Sequence, residues 1–364
     1  MTQPPLSPAP PRQACCQKGF DMTFLETTSP RSEPRASARQ IWLLTVLLSL
    51  LLLSALSLRF GLRPISWGSI WESFVAYDAT RADHLVIQGM RLPRLLAAWL
   101  AGAALAASGA LIQSLTRNPL ADPGLLGING GASLGVILCI FLLGISDPAS
   151  FVWVAMGGGL ASTVLVFFLG GAGRGTPLRL ILAGAVLSAL FLALGRSLLL
   201  ISQRSLDVYR FWVLGGLDGI EMPTLGALLP FFALGAAFAA VSSFNLNAMM
   251  LGEDTARSLG LRVGLARGLA VCAIVCLCGS TVSMAGPIAF VGLIVPHMAR
   301  HFSGTDMRWC LLFSTLLGAG LMILADLMGR LPVFGGNMQA GVMAALLGGP
   351  ALVWLIRRNG STAL

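Results

Sequence analysis

Few residues in this chain have the side-chain types and the spacing that catalysis, metal binding or ion transfer requires. His297 and His301 are four apart, so both imidazoles could lie on one face of a helix. A metal site would need a third ligand nearby, and none is evident, so the sequence predicts neither a metal nor another cofactor. Asp326 is the one carboxylate close to an apolar run, and no series of acids or histidines accompanies it to relay protons or hold sodium.

Signatures of catalysis are missing as well. The sequence contains no Walker lysine motif and no Ser-His-Asp arrangement, and no other nucleophile has a base beside it. Arg196 is the only charge inside an apolar run, near the outer end of its predicted helix, where snorkelling explains it. The sequence therefore predicts a protein that is not an enzyme. If it transports actively, a partner must supply the energy.

One polar stretch, residues 245–262, lies between two long apolar runs and has the character of a binding element. Two glycines are natural stops for two successive short helices, and two acids precede an arginine, as the helix dipole favours. A small apolar face accompanies them. Docking to a soluble partner and an interfacial helix on lipid headgroups fit this spacing equally well. The candidate binding residues are Gly252, Glu253, Asp254, Ala256, Arg257, Ser258, Leu259 and Gly260.

Composition places the chain among membrane proteins. Of 364 residues, 56% are hydrophobic and 11% charged, and the mean hydropathy is +0.82, values typical of an all-α polytopic membrane protein. The net charge of +9 comes from arginine, because Lys18 is the only lysine. In such a protein this charge indicates topology, so a nucleic-acid partner is not expected.

The chain divides at about residue 40. Residues 1–40 are rich in Pro, Ser, Thr and Arg without apolar periodicity, which predicts a disordered cytoplasmic extension with no assigned role. Residues 41–364 form the predicted transmembrane domain. Its candidate spans are 41–58, 95–115, 125–144, 151–170, 180–201, 225–244, 268–284, 287–298, 310–327 and 335–356.

Charge sets the orientation of these spans. Five basic residues precede the first run and two arginines follow the last, so both chain ends are predicted to be cytoplasmic. Two cytoplasmic ends need an even number of crossings, so the short run 287–298 must cross and the prediction is ten helices. Residues 245–262 then lie in the cytoplasm. Ten helices divide into five plus five, which makes an inverted repeat possible.

The run 125–144 is a candidate for lining a pathway. It follows a tight turn marked by Asn118, Pro119 and Pro123, and small residues populate its first half. A lumen-facing stripe beside run 180–201 and ordinary close packing explain these residues equally well. The pathway candidates are Gly127, Gly130, Gly131 and Ser133.

Three arginines, Arg91, Arg94 and Arg330, fall on the predicted outer side. The first two belong to an R-L-P-R motif at the start of a predicted span, against both the positive-inside rule and the helix dipole. Such placement suggests an acidic partner, because guanidinium groups pair well with carboxylates. Internal pairing with Asp83 or Asp326 is the alternative.

Three runs of this sequence resemble the FecCD family. They are residues 91–133, the segment GEDTARSLGL at 252–261, and residues 286–308. The FecCD proteins are permease subunits of binding-protein-dependent ABC importers for ferric siderophores, haem and vitamin B12. The similarity extends from about residue 41 to the C-terminus, in the family's order.

The resemblance carries several expectations. It implies the fold of vitamin B12 importer permeases, in the bacterial inner membrane, paired with a second permease subunit of the same or a different chain. It implies two cytoplasmic ATPase subunits, docked on residues 252–260 as coupling helices, and a periplasmic or lipid-anchored binding protein. The outer arginines would receive acidic side chains from the lobes of that protein. The expected cargo is a ferric siderophore; haem and cobalamin are alternatives, and a channel or carrier without an ATPase is the other class.

Overall fold

The structure is a computed structural model that describes residues 36–145, 147–171, 177–334, 336 and 338–359. Within these ranges the regular structure is helical. A π-helical turn, Ile87–Arg91, joins α3 to α4 without a break, and short 3-10 turns cover Pro123–Leu126 and Pro332–Phe334. The α-helices are α1 Ala36–Arg59, α2 Trp67–Val75, α3 Ala82–Val86, α4 Leu92–Thr116, α5 Ile128–Leu143, α6 Pro148–Leu169, α7 Pro177–Ile201, α8 Gln203–Val213, α9 Met222–Met250, α10 Glu253–Ser258, α11 Val263–Ala285, α12 Val291–Ser303, α13 Met307–Arg330 and α14 Ala340–Asn359.

Seven helical stretches in the described part of the chain are long and apolar enough to cross a bilayer: α1, the continuous α3–α4, α6, α7, α9, α11 and α13. Helices α5 and α14 are apolar but shorter. Helix α12 has 13 residues, about 20 Å of helix against the ~30 Å of a hydrocarbon core. The all-α polytopic class is confirmed, while ten crossings and the inverted repeat stay predictions.

Helix α4 forms the centre of the bundle and packs against α9, α11, α12 and α13. Alanine and glycine dominate its surface, which lets neighbouring backbones approach closely. Gly102 lies against Gly318 of α13, and Gly109 lies against Gly292 of α12. A Cβ atom at either position of α4 would overlap the facing carbonyl group, so glycine is required at both crossings.

Two predicted boundaries are wrong. Helix α1 begins at Ala36, inside the predicted extension, because the alanines, arginine and glutamine before residue 41 are good helix formers. Helix α9 runs unbroken to Met250 and carries Pro230 inside it. Residues 245–250 are therefore its last turns, and the predicted pair of short helices is the single helix α10.

Candidate functional site

The α10 end of the bundle comprises α10, the C-termini of α4 and α9, and the N-termini of α11 and α13. Arg117, just after α4, donates to the carbonyl oxygen of Met249 at 2.9 Å and so joins the ends of α4 and α9. A cleft of about 220 Å³ opens beside this contact, lined by Ser114, Leu115, Arg117, Leu246, Met249, Met250 and Glu253. Of the predicted docking residues 252–260, Glu253 lines this recess, together with the last turns of α4 and α9.

Helix α10 is held between two glycines with positive φ. Gly252 precedes it with φ 110°, and Gly260 follows it with φ 84°, both in the region that favours glycine. The predicted role of these glycines as helix stops is confirmed by this geometry. The two glycines therefore delimit a helix of six residues.

Glu253 anchors α10 to the rest of the protein. Its carboxylate forms an ion pair with Arg267 of α11, and Arg257 lies 3.3 Å from its other oxygen. Arg257 also lies 3.1 Å from Asp254. The acid-before-base order predicted from the helix dipole therefore produces two ion pairs within α10, and Glu253 adds a third pair to the neighbouring helix.

The exposed face of α10 differs from the predicted one. Ala256 is fully buried, so it seats the helix against the bundle and cannot present an apolar docking face. Leu251 and Leu259 are each 67% exposed, and the Asp254 side chain is 99% exposed. The accessible surface around α10 therefore combines two leucines with Asp254 and Arg257.

Asn247 of α9 links this end to α13. Its side-chain Nδ2 donates to Asp306 Oδ1 at 2.8 Å, and its side-chain Oδ1 accepts from the backbone N–H of Met307 at 2.8 Å. Asp306 caps α13, and hydrogen bonds from Arg308 and Asn247 hold the pKa of Asp306 down at about 2. Sequence reasoning left these residues unassigned, although an Asp before an apolar run is a recognised N-cap signal.

Gln113 ties α4 to the proline-containing helix α12. Pro296 has no N–H, so the carbonyl of Gly292 lacks its helical donor. The Gln113 amide donates to the carbonyl oxygens of Gly292 and Leu293 at 3.1 Å each, and its oxygen accepts from Arg300 at 2.8 Å. This buried glutamine therefore replaces the hydrogen bond that proline removes.

The predicted pathway residues lie in close helix packing. Gly127 has φ 79° at the start of α5. A Cβ at Gly130 would press on Ser188 of α7, and one at Gly131 would overlap the Gly158 carbonyl of α6. Ser133 is 5% exposed. Within the chain, the packing alternative describes this face of α5, and its part in a pathway stays a prediction.

The arginine end is the opposite end of the bundle, where the start of α4 meets the end of α13. Arg94 Nε lies 2.6 Å from Asp326 Oδ1, and its Nη1 pairs with Asp218 in the loop before α9. Arg330 Nη2 lies 3.0 Å from Asp326 Oδ2 and also donates to the Ser57 hydroxyl. Two acids and two bases thus form one network across α4, α13 and the 214–221 loop.

Arg91 has a different set of partners, all of them backbone. Its guanidinium donates to the carbonyl oxygens of Leu58 at 2.6 Å and Arg59 at 2.8 Å, and to that of Arg63. Leu58 and Arg59 end α1, where carbonyl groups lack helical donors. Arg91 therefore caps α1 from another helix.

These contacts correct the argument that singled out the arginines. Helix α3 already begins at Ala82 and continues through the π turn, so Arg91 and Arg94 are not at a free helix N-terminus. The π turn ends just before Pro93, and the N–H of Leu92 bonds to the carbonyl oxygen of Ile87, five residues earlier. The internal-pairing alternative holds for Arg94 and Arg330 with Asp326. Their docking role, with Arg91, stays a prediction.

Comparison with known proteins gives consistent matches over most of the chain. The model of the FecCD transport family matches residues 47–358. The probable siderophore transport system permease protein YfiZ of Bacillus subtilis is 38% identical over 322 residues, 87% of this chain and 96% of that protein. The ferric enterobactin transport system permease protein FepD of Escherichia coli is 40% identical over 326 residues, 89% of this chain and 97% of that protein.

A solved structure gives the same result for the fold. It is the inward-facing conformation of an ABC transporter assigned to the metal-chelate type, and it matches with a TM-score of 0.78 at 30% identity. The match covers 88% of this chain and 99% of that one. The helical bundle of this chain therefore has the same fold as that transporter chain.

Proposed function

This chain belongs to the FecCD transport family of ABC importer permeases, and from that premise we propose that it carries a ferric siderophore across the bacterial inner membrane. The membrane-spanning subunit contains no nucleotide motif, so ATP would be hydrolysed by separate cytoplasmic subunits. Two of its relatives are named for siderophore and ferric enterobactin transport, which supports this cargo. The observation that carries the ATP-driven mechanism is the anchored helix α10.

Helix α10 has the properties of a coupling element. Glu253 and Arg267 fix it to α11, and the Arg117 contact fixes the preceding helix end to α4. A force applied to the exposed leucines, Leu251 and Leu259, would therefore pass into the centre of the bundle. We assign this surface, with Asp254 and Arg257, to the ATPase contact; Gly252, Ala256, Ser258 and Gly260 shape and seat it.

The opposite end is assigned to the soluble binding protein. Arg91, Arg94 and Arg330 are largely buried, and most of their donors already have partners inside the chain. Asp218 is the accessible member of this network, with 38% of its side chain exposed. A carboxylate of the binding protein would have to compete with Asp218 for Arg94, which makes the loop before α9 part of the docking surface.

The pathway is assigned to the faces of α5 and α7 and to a second permease subunit. Helix α7 exposes a row of apolar side chains spaced four residues apart, so neighbouring members lie close together and the row winds slowly around the helix. Its members are Leu178, Leu182, Val186, Leu190 and Leu194. A second subunit covering this row would place a pathway between the two copies.

The test is uptake by the reconstituted complex. The chain is purified with its candidate ATPase and binding protein and placed in vesicles that contain ATP. We expect ATP-dependent accumulation of a radiolabelled ferric siderophore, and none with an ATPase whose Walker lysine is replaced by alanine. Accumulation of haem or cobalamin alone would correct the cargo. Siderophore uptake that is unchanged without the ATPase would overturn the importer mechanism.

A further inference from the structure

Helix α2, Trp67–Val75, divides into three faces around its axis. One face packs on the protein: Ile70 is buried with Ile65 and Ile87 in a small separate cluster. A second face is polar and carries Glu72, which pairs with Arg81. The third face is aromatic and apolar, and points away from the protein.

The aromatic face is formed by residues at positions i, i+4, i+7 and i+8, which share one side of a helix. Its members are Trp67, 48% exposed, Trp71, 71% exposed, Phe74, 51% exposed, and Val75, 67% exposed. Tyr77 follows directly and is 53% exposed. Exposed aromatic groups of this density require a partner, because contiguous apolar patches are rare on surfaces that face water.

The position of α2 in the chain identifies that partner. Helix α1 is a candidate span with half of its leucines exposed, as expected of a helix in contact with lipid, and it ends at Arg59. Arg91 bonds to the carbonyls of Leu58, Arg59 and Arg63, so the turn that leads to α2 is fixed at the level where α1 ends. Helix α2 therefore begins where the chain leaves the apolar part of the membrane.

Positive charge also lies where α1 ends and α2 begins. The Arg59 guanidinium lies over the Trp67 ring, 4.9 Å from its centroid, and over the Phe60 ring at 5.6 Å. The side chain of Arg63 is 80% exposed. Aromatic rings beside arginines match the interface of a bilayer, where rings meet acyl chains and cations meet phosphate groups.

We propose that α2 is an interfacial helix whose aromatic face lies in the leaflet at the arginine end, beside lipid phosphates. The three faces then meet protein, water and lipid. The helix holds the arginine end at a fixed depth, because its buried face is continuous with the turn that Arg91 caps. This assignment requires only that α1 crosses the membrane, and it is independent of the cargo.

The test uses tryptophan fluorescence of the full complex in phosphatidylcholine–phosphatidylglycerol vesicles. The emission of Trp71 is obtained as the difference between the unchanged complex and Trp71→Phe. We expect this emission to be quenched by lipids brominated near the headgroup more strongly than by lipids brominated near the chain ends. Aqueous iodide is expected to quench it little.

A matched control places the probe on the polar face. Glu72→Trp in the Trp67→Phe, Trp71→Phe background is expected to reverse the pattern, with strong iodide quenching and weak quenching by brominated lipid. Retained ATPase activity shows that each variant is folded. Strong iodide quenching of Trp71 would mean a water-facing patch. Quenching by neither reagent would mean a protein cover, such as the binding protein or a second permease copy. Either result overturns the proposal.

Discussion

The side-chain amide of Gln113 donates a hydrogen bond to the carbonyl oxygen of Gly292, 179 positions further along the chain. That carbonyl is free because Pro296, four residues later, has no N–H to offer it. A polar side chain in the last turn of α4 thereby completes the backbone of α12. The arrangement explains why a membrane bundle keeps an amide at a position that is 2% exposed.

Replacement of Gln113 by methionine is expected to destabilise the protein by about 1–3 kcal/mol, since it leaves buried carbonyls without a donor. The loss should be smaller in a Pro296→Ala background, where the backbone can donate to Gly292 again. Resistance to denaturant in detergent measures both effects. Ser108→Ala on the same helix is the control, because that buried hydroxyl has no hydrogen-bond partner among the described residues. Equal losses in both backgrounds would contradict the proposed link to Pro296.

Replacement of Gly109 by alanine is expected to lower the free energy of unfolding by about 1–3 kcal/mol or more, since this is the range for overpacked cores. The obstacle here is the Gly292 backbone, which cannot rotate away as a side chain can. Gly226→Ala on α9 is the control, because nothing lies within 4 Å of an added Cβ there. Thermal unfolding of the two variants in one detergent makes the comparison, and a similar midpoint for both would refute the close α4–α12 crossing.

Charge reversal of Asp254 to Arg, combined with Leu259→Glu, is expected to reduce ATP-dependent uptake at least tenfold without unfolding the chain. Both side chains are exposed, so the change falls on the proposed ATPase contact and not on the core. Asp207→Arg on α8, also an exposed acid, should leave uptake near normal. Ala256→Glu does not serve this test, because it would bury a charge. Normal uptake in the double variant would remove α10 from the contact.

Asp326→Asn is expected to destabilise the arginine end by about 3–5 kcal/mol, because it leaves two largely buried guanidinium groups without their shared carboxylate. Asp83→Asn is the control, since that acid is partly exposed and lies 3.8 Å from Arg63. Its expected effect is below about 1 kcal/mol. An Asp326→Asn protein as stable as the unchanged one would show that the network contributes little.

The Asp306 cap predicts a specific dependence on pH. The pKa of Asp306 is lowered from 3.8 to about 2 by its hydrogen bonds, so its stabilising effect is present above pH 3.8 and is lost as the pH falls towards 2. The stability difference between the unchanged protein and Asp306→Asn should stay constant from about pH 8 to pH 5. It should shrink only below about pH 4. Asp254→Asn supplies the control variant. A stability difference between the unchanged protein and Asp306→Asn that already shrinks near neutral pH would contradict the lowered pKa.

Features set by neighbouring residues could be predicted from the sequence. The glycines on both sides of α10 and the acids at its start follow from local backbone rules, and the structure has both. The apolar runs likewise identified the membrane class. The end of α9 differs from the predicted one because Asn245 and its neighbours are polar without breaking the helix, which continues to Met250 and stops before Gly252.

Features that depend on distant residues could not be predicted in the same way. Arg94 and Asp326 are 232 positions apart, and only the packing of α4 against α13 brings them together. The burial of Ala256 depends on how α10 sits on the bundle, which no periodicity in six residues defines. Gln113 is an intermediate case: Pro296 in α12 signals a free carbonyl, but not which residue supplies the donor.

The contact of Arg91 with the end of α1 has a consequence for biosynthesis. The carbonyl groups of Leu58 and Arg59 have no guanidinium to meet until a residue more than thirty positions later has left the ribosome. Until then the C-terminal end of α1 lacks its side-chain cap. The end of α1 therefore acquires its side-chain cap only when the nascent segment reaches Arg91. A lysine there, with one ammonium group for three carbonyls, would leave the translocon with a less stable first hairpin.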